Sequence, residues 1–250
     1  MARPRVAVFD FACCEGCQLQ IVNMEEELLS LIALVEPVEW REAMSERSDQ
    51  YDIAIVEGSI TRAEDEARLR LIRERAKVLI ALGACATMGG VNRLKNNFDD
   101  LEEVKRIVYA DSARLPHLDT APVRGLDEVV TVDYKVHGCP INSKEFSSVV
   151  RSLALGTQPL IPRYPVCVEC RMRENPCRFE FGEICLGPIT RAGCNAPCPS
   201  AGFYCYGCRG MVDDPNVDAA TDVMAKYGKS VDDLRSRLWL FNSKQERANV

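Results

Sequence analysis

The stretch Arg5-Val-Ala-Val-Phe-Asp-Phe-Ala-Cys-Cys-Glu-Gly-Cys-Gln-Leu-Gln-Ile-Val-Asn-Met24 sets the fold. It passes from a β-branched and aromatic run, through three clustered cysteines, into an apolar pattern of helical spacing that continues at Leu28, Leu31 and Val35. A strand, a short loop and an amphipathic helix in that order open a βαβ unit. Outward from it the alternation repeats. Strands are expected at Arg5 to Phe11, weakly at Pro37 to Trp40, and at Asp52 to Glu57, Lys77 to Leu82 and Glu128 to Val132. Leu101, Val104 and Val108 form a second helical stripe, which like the first is expected to face the core. Thr61 with Glu64 has the form of a capping box opening a helix through Leu69 and Ile72. A further helix runs from Ser143 through Phe146, Val150 and Leu153 to Gly156. The expected class is α/β, a parallel sheet wound by helices on both faces, over residues 1–158.

Pro159 to Pro165 reads as a linker into a second part, residues 159–250. From Pro165 to Gly210 cysteine, glycine and proline dominate without a sustained apolar period, so this segment is expected to bury no core of its own and to need metal to fold. Helical character returns at Val217 to Tyr227 and after Ser230, where Ser230 and Asp233 form an N-cap signature ahead of Leu234, Leu238 and Leu240.

The 250 residues are 47% hydrophobic, enough to bury a core, and a net charge of −6 lacks the basic footprint of a nucleic-acid binder. Met1 leads directly into the first strand without a secretory signal, and the apolar stretch from Val78 to Val91 is broken by Gly83, Gly89 and Gly90. The chain therefore reads as soluble and cytosolic, with no membrane insertion. In a reducing compartment thirteen cysteines are poor disulfide material. With only His117 and His137 as histidines, metal sites would be all-thiolate, and such sites select zinc or iron–sulfur clusters.

Cys13, Cys14 and Cys17 follow the first strand, Cys85 the fourth and Cys139 the fifth, so all lie at the carboxyl edge of the sheet, where open parallel sheets bind ligands. Five cysteines compete there for four ligand places, and spacing alone leaves either Cys13 or Cys17 as the spare. The plainer alternative for Cys85 and Cys139 is that each is a buried structural thiol. Glu57, on the same edge, faces either this site or an interface, or is a surface or cap-adjacent carboxylate. His137 is expected to serve as a structural hydrogen-bonding group.

The second set, Cys167, Cys170, Cys177, Cys185, Cys194, Cys198, Cys205 and Cys208, supplies eight thiolates, enough for two four-thiolate sites. Structural zinc satisfies that count, as do two [4Fe-4S] clusters. Cys194-x3-Cys198-Pro199 resembles the end of a bacterial ferredoxin run and favours the clusters.

Cys14-Glu-Gly-Cys17-Gln-Leu-Gln, Glu57-Gly-Ser59, Gly83-Ala-Cys85-Ala86 with Gly89-Gly90, and Gly138-Cys139-Pro140 together resemble the N-terminal domain of [NiFe]-hydrogenase small subunits, a domain shared with the related complex I subunit. Cys185-Leu-Gly-Pro-Ile-Thr-Arg-Ala-Gly-Cys194 through Cys205-Tyr-Gly-Cys208 resembles the hydrogenase branch, and the nearly full-length likeness is to the delta subunits of cytosolic NAD(P)-linked hydrogenases, the sulfhydrogenases. The resemblance implies a flavodoxin-like domain with a proximal cluster on Cys14, Cys17, Cys85 and Cys139, which makes Cys13 the spare. It also implies a medial cluster on Cys194, Cys198, Cys205 and Cys208, and a distal one on Cys167, Cys170, Cys177 and Cys185. Exported relatives carry histidine near the position of Cys167 and often lack the ligand matching Cys198. Cysteine at both places here implies three [4Fe-4S] clusters.

The implied role is electron transfer within a hydrogenase, and the chain is not catalytic on its own. A large subunit would hold the NiFe centre, and a flavin-containing NAD(P)-reducing subunit with an iron–sulfur subunit would accept the electrons. F420- or heterodisulfide-reductase-linked hydrogenases are alternatives. The tandem Cys13-Cys14 raises a complex I-like quinone-reducing subunit, which the eight later cysteines oppose, and a zinc-stabilised scaffold is the non-redox rival.

Overall fold

A computed structural model describes residues 3–110 and 119–241, so His117 lies outside the described residues. Five parallel strands, β1 (Arg5–Asp10), β2 (Glu36–Trp40), β3 (Ile53–Glu57), β4 (Val78–Leu82) and β5 (Tyr134–Val136), lie in the order β2-β1-β3-β4-β5. This is the flavodoxin-like order. The helices are α1 (Gly16–Val22), α2 (Glu26–Ile32), α3 (Ala63–Arg75), α4 (Gly83–Met88), α5 (Leu101–Tyr109), α6 (Ser143–Ala154), α7 (Val166–Met172), α8 (Pro197–Ser200), α9 (Val217–Lys226) and α10 (Val231–Arg237). Among the described residues no helix is long and apolar enough to cross a membrane.

Strand side chains alternate between the two faces of the sheet, and both faces are covered. Val6, Val8, Ile53, Ile55, Ile80 and Leu82 pack with Ile21 of α1, Leu31 of α2 and Phe146, Val149 and Val150 of α6. Ala7, Phe9, Ala54, Val56, Leu79 and Ala81 pack with Leu69 and Ile72 of α3 and with Ala86 of α4.

Several expectations needed correction. The fifth strand is Tyr134–Val136, not Glu128 to Val132. Leu126–Glu128 forms a 3-10 turn, the Leu126 carbonyl accepts the N–H groups of Val129 and Val130 at 3.0 and 2.9 Å, and Val129, Val130 and Val132 pack on the second face instead of joining the ladder. Asp133 then anchors the true strand, its carboxylate accepting from the Leu79 N–H at 2.7 Å and pairing with Arg73 at 2.5 Å. The first apolar stripe is divided between α1 and α2 by a break at Asn23–Glu25, yet Met24 and Leu28 still pack on the core. The α5 stripe is not core-facing. None of that helix is buried, and Val108 is 63% exposed.

The start of α3 also differs from the Thr61–Glu64 pattern. The Asp65 carboxylate reaches back to the N–H groups of Thr61 and Arg62 at 3.2 and 3.1 Å, while Glu64 pairs with Arg62 at the surface. At α10 the expected cap holds: Ser230 Oγ accepts from Asp233 N–H at 3.2 Å, and Leu234 and Leu238 are buried.

The cysteine-rich segment does bury a core, by sharing it with the tail. Val166, Phe179, Leu186 and Ile189 pack with Ala220 and Met224 of α9 and Leu234 of α10. Lacking a period of its own, the segment gains its apolar partners from helices that follow it. Replacing Asp65 with Ala is expected to cost about 1 kcal/mol, within the usual range for a lost cap. Glu64→Ala should change stability by only a few tenths, about that of an exposed ion pair. Anaerobic urea unfolding followed by circular dichroism measures both.

Candidate functional site

β1 and β3 are neighbours at the point where strand order reverses, and their carboxyl ends open the crevice in which such sheets bind ligands. The two loops are stitched together there. Phe11 N–H donates to the Glu57 carbonyl at 2.9 Å and Ser59 N–H to the Ala12 carbonyl at 3.0 Å. Glu57 is 2% exposed, and its carboxylate accepts the N–H groups of Cys17 and Gln18 at 3.1 and 3.2 Å. It therefore caps the start of α1 and is not a surface group. Gln18 Oε1 in turn accepts from the Trp40 indole at 2.8 Å, tying α1 to the end of β2.

None of the thirteen cysteines is in a disulfide. Cys14 and Cys139 are exposed, Cys17 is buried, and Cys13 and Cys85 lie between. Ala84 N–H donates to the Gly138 carbonyl at 2.7 Å, which fastens the start of α4, carrying Cys85, to the loop carrying Cys139. Burial pushes Cys85 up to about 12, and the nearby charges of Cys139, Cys14 and Glu57 add to the rise. Cys17 is raised further by burial and by Glu57, and Cys13 reaches about 12 for the same two reasons in the same order. All five edge cysteines thus share one electrostatic neighbourhood. Thiols so raised hold their protons at neutral pH, and metal ligation must displace them.

In the second set, α7 places Cys167 and Cys170 three residues apart on one helix face, and Cys177 precedes the 3-10 turn Arg178–Phe181. Burial raises Cys167 to about 12, with Cys185, Cys170 and Cys177 contributing. A Cβ added to Gly187 would lie 3.2 Å from Cys167 Sγ and 3.5 Å from Cys185 Sγ, so both sulfurs flank that glycine. Cys194, Cys198, Cys205 and Cys208 line one cavity of about 330 Å³, with Ile141, Pro197 and Pro199 among its apolar walls and Cys139 on its rim. Burial raises Cys194 to about 11. Glu169, between Cys167 and Cys170, accepts the N–H groups of Gly193 and Asn195, each at 2.8 Å, and so fixes the backbone on both sides of Cys194.

Whether these residues fit an iron–sulfur group or single ions can be judged from their spacing. Four thiolates on one zinc ion, each about 2.3 Å from the metal, need sulfurs within about 4 Å of one another. Among the described residues no three His, Cys, Asp or Glu side chains gather closely enough to hold one metal ion. The thiol-lined cavity of about 330 Å³ has room for a multi-atom cluster. His137 is buried and held neutral, lowered by burial and by Arg191 and Arg209, and its Nδ1 has no hydrogen-bond partner. Its expected hydrogen-bonding role is therefore not seen at that atom. Glu145, Glu169 and Arg209, the buried charges around the cavity, are invisible to motif reading because single charged residues form no motif. The position of Arg209 directly after Cys208 is their one visible signal.

Gly83 has a φ of +80°, and a Cβ there would collide with Cys17 Sγ, while Gly156 has a φ of +69° with nothing nearby. Gly156→Ala is expected to cost only the left-handed backbone strain, about 1–2 kcal/mol. Gly83→Ala should cost clearly more, because Cys17 must move as well. Anaerobic chemical unfolding of the two variants measures the difference.

Residues 14–153 match the family described as NADH ubiquinone oxidoreductase, 20 Kd subunit. The chain is 36% identical to Sulfhydrogenase 2 subunit delta of Pyrococcus furiosus, covering 88% of this chain and 92% of that one. It is 31% identical to a subunit of the F420-non-reducing hydrogenase vhu of Methanocaldococcus jannaschii, over 95% and 93% of the two chains. Among solved structures, an NAD+-reducing [NiFe]-hydrogenase in the H2-reduced state matches with a TM-score of 0.58 and 28% identity, covering 64% of this chain and 96% of that one. The matched segment starts in the loop after β1 and takes in β2 to β5 with Cys14, Cys17, Cys85 and Cys139, and the chain belongs to the NADH ubiquinone oxidoreductase 20 Kd subunit family.

Proposed function

We propose that this chain is the electron-transfer small subunit of a soluble, cytoplasmic [NiFe] hydrogenase, connecting the NiFe site of a large subunit to a flavin- and iron–sulfur-containing NAD(P)-reducing partner. It would hold three [4Fe-4S] clusters, on Cys14, Cys17, Cys85 and Cys139, on Cys194, Cys198, Cys205 and Cys208, and on Cys167, Cys170, Cys177 and Cys185. Residues 1–158 form the flavodoxin-like domain in this reading, and residues 159–250 the two-cluster domain.

One observation carries the reading: the three thiol sets touch in series. Cys139 lines the same cavity as Cys194, Cys198, Cys205 and Cys208, joining the first set to the cavity set, and Cys205 N–H donates to Cys185 Sγ at 3.2 Å, joining the cavity set to the third. Isolated structural zinc sites have no need of such continuity. A relay does, because electron transfer falls off steeply with distance. When bound, the clusters supply one-electron carriers whose potentials follow charge, hydrogen bonding and exposure. This chain's own residues hold the thiolates, shield them from water and set their spacing. The likeness to a hydrogenase named as F420-non-reducing weighs against F420 as acceptor.

Anaerobic purification of the full chain through an affinity tag tests the proposal. About twelve irons with matching acid-labile sulfide are expected, four of each per cluster, together with a copurifying nickel-containing subunit and hydrogen-dependent reduction of NAD(P). Zinc without sulfide would sink the reading. Cys17→Ser should abolish the first cluster and Cys13→Ser should leave it; the reverse result would point to the quinone-linked alternative.

A further inference from the structure

Among the described residues Arg209 is the largest fully buried side chain, at 1% exposure. Its Nε donates to the carbonyls of Arg191 and Ala192 at 3.2 and 2.8 Å. One terminal nitrogen donates to the His137 carbonyl at 2.5 Å, and the other to Glu145 Oε1 at 2.7 Å. The Arg209–Glu145 pair is dry on both sides, with side-chain exposures of 1% and 8%. Gly193 lies directly against it. A Cβ there would fall 2.5 Å from Glu145 Oε1 and collide with the guanidinium, so a bare backbone is required.

The chain positions of these contacts give them meaning. His137 is two residues before Cys139, Ala192 two before Cys194, and Arg209 follows Cys208. Glu145 stands on α6, which belongs to the sheet layer. One guanidinium, on the residue that follows Cys208, therefore grips the backbone beside Cys139 of the first set and beside Cys194 of the cavity set. Buried ion pairs are poor stabilisers, since apolar replacements of similar volume often do as well or better. A pair in this place is better explained by what its charges do.

We infer that Arg209 and Glu145 position the cavity set against the first set, and that they bias in opposite directions the reduction potential of the group held by Cys194, Cys198, Cys205 and Cys208. This rests on the relay reading. Adding one electron adds one negative charge to that group. A buried cation next to Cys208 favours the reduced form, and a buried carboxylate that partly cancels the cation opposes it, with little solvent screening at either. Both are positioning residues. Neither is proposed as a ligand.

The test is an EPR-monitored redox titration of the full chain, isolated anaerobically with whatever subunits accompany it. Arg209→Gln is expected to move one midpoint potential negative, and Glu145→Gln to move the same midpoint positive, each by more than either other cluster shifts. Arg209→Lys, which keeps the charge but loses the fork, should return that midpoint most of the way to its original value. It should also weaken magnetic coupling between the first two clusters. Should Arg209→Gln fail to fold, the sign of the Glu145→Gln shift decides alone. Unmoved potentials in cluster-loaded variants, or shifts of the same sign in both, would overturn the inference while leaving the relay reading intact. A wild-type chain without iron and sulfide would overturn the relay reading and this inference with it.

Discussion

The two main-chain N–H groups that Glu57 accepts, from Cys17 and Gln18, are the contact on which the first thiol set depends. A loop carrying three cysteines in five residues has little side-chain bulk with which to hold itself. The carboxylate at the end of β3 fixes its far end to the sheet. Because β1 and β3 are adjacent, the loop's near end is fixed by the ladder itself, Asp10 standing in register with Glu57. Each buried N–H left without that acceptor would cost about 1–3 kcal/mol, so the loop has one strongly preferred arrangement. α1 then begins where Cys17 must be, and its apolar face closes the first core layer.

From there the architecture extends by carrying backbone past sulfur. α4 starts at Gly83 and brings Cys85 to the same edge, and the loop after β5 brings Cys139. The cysteine-rich part docks against this edge through polar bonds to the main chain. Arg209 donates to the His137 carbonyl, and Cys139 lines the same cavity as Cys208. Glu169 does comparable work for the backbone on both sides of Cys194. Buried charge is concentrated where thiol sets meet, and the sheet core itself is apolar.

Much of this was legible in the sequence, for identifiable physical reasons. β1, β3 and β4 are covered on both faces, so they read as continuous apolar runs. The edge placement of the cysteines followed from those strands. β5 was misplaced because it is only Tyr-Lys-Val, while the more strand-like Val129-Val-Thr-Val132 satisfies its backbone in a turn and packs beneath the sheet. The α5 stripe has a helical period, but a period records an apolar side and not what covers it. The Thr61–Glu64 pattern was offset by one residue from the true cap because Asp65 lies nearer the backbone donors. The thiol-lined cavity and the Arg209–Glu145 pair join residues 64 positions apart, and no local pattern encodes such contacts. The division of the eight later cysteines rested on resemblance. Spacing alone was compatible with other pairings, and Cys205, whose N–H meets Cys185, sits at the junction between the two sets.

The shared core of the C-terminal part has a consequence for how the protein is made. Val166, Leu186 and Ile189 find partners in Met224 and Leu234, and Phe241 packs against Ala84 and Met88 beside Cys208. A chain emerging from the ribosome therefore presents the cysteines of this segment before α9 and α10 exist. The apolar core of the cysteine-rich segment is therefore complete only once α9 and α10 have docked on it.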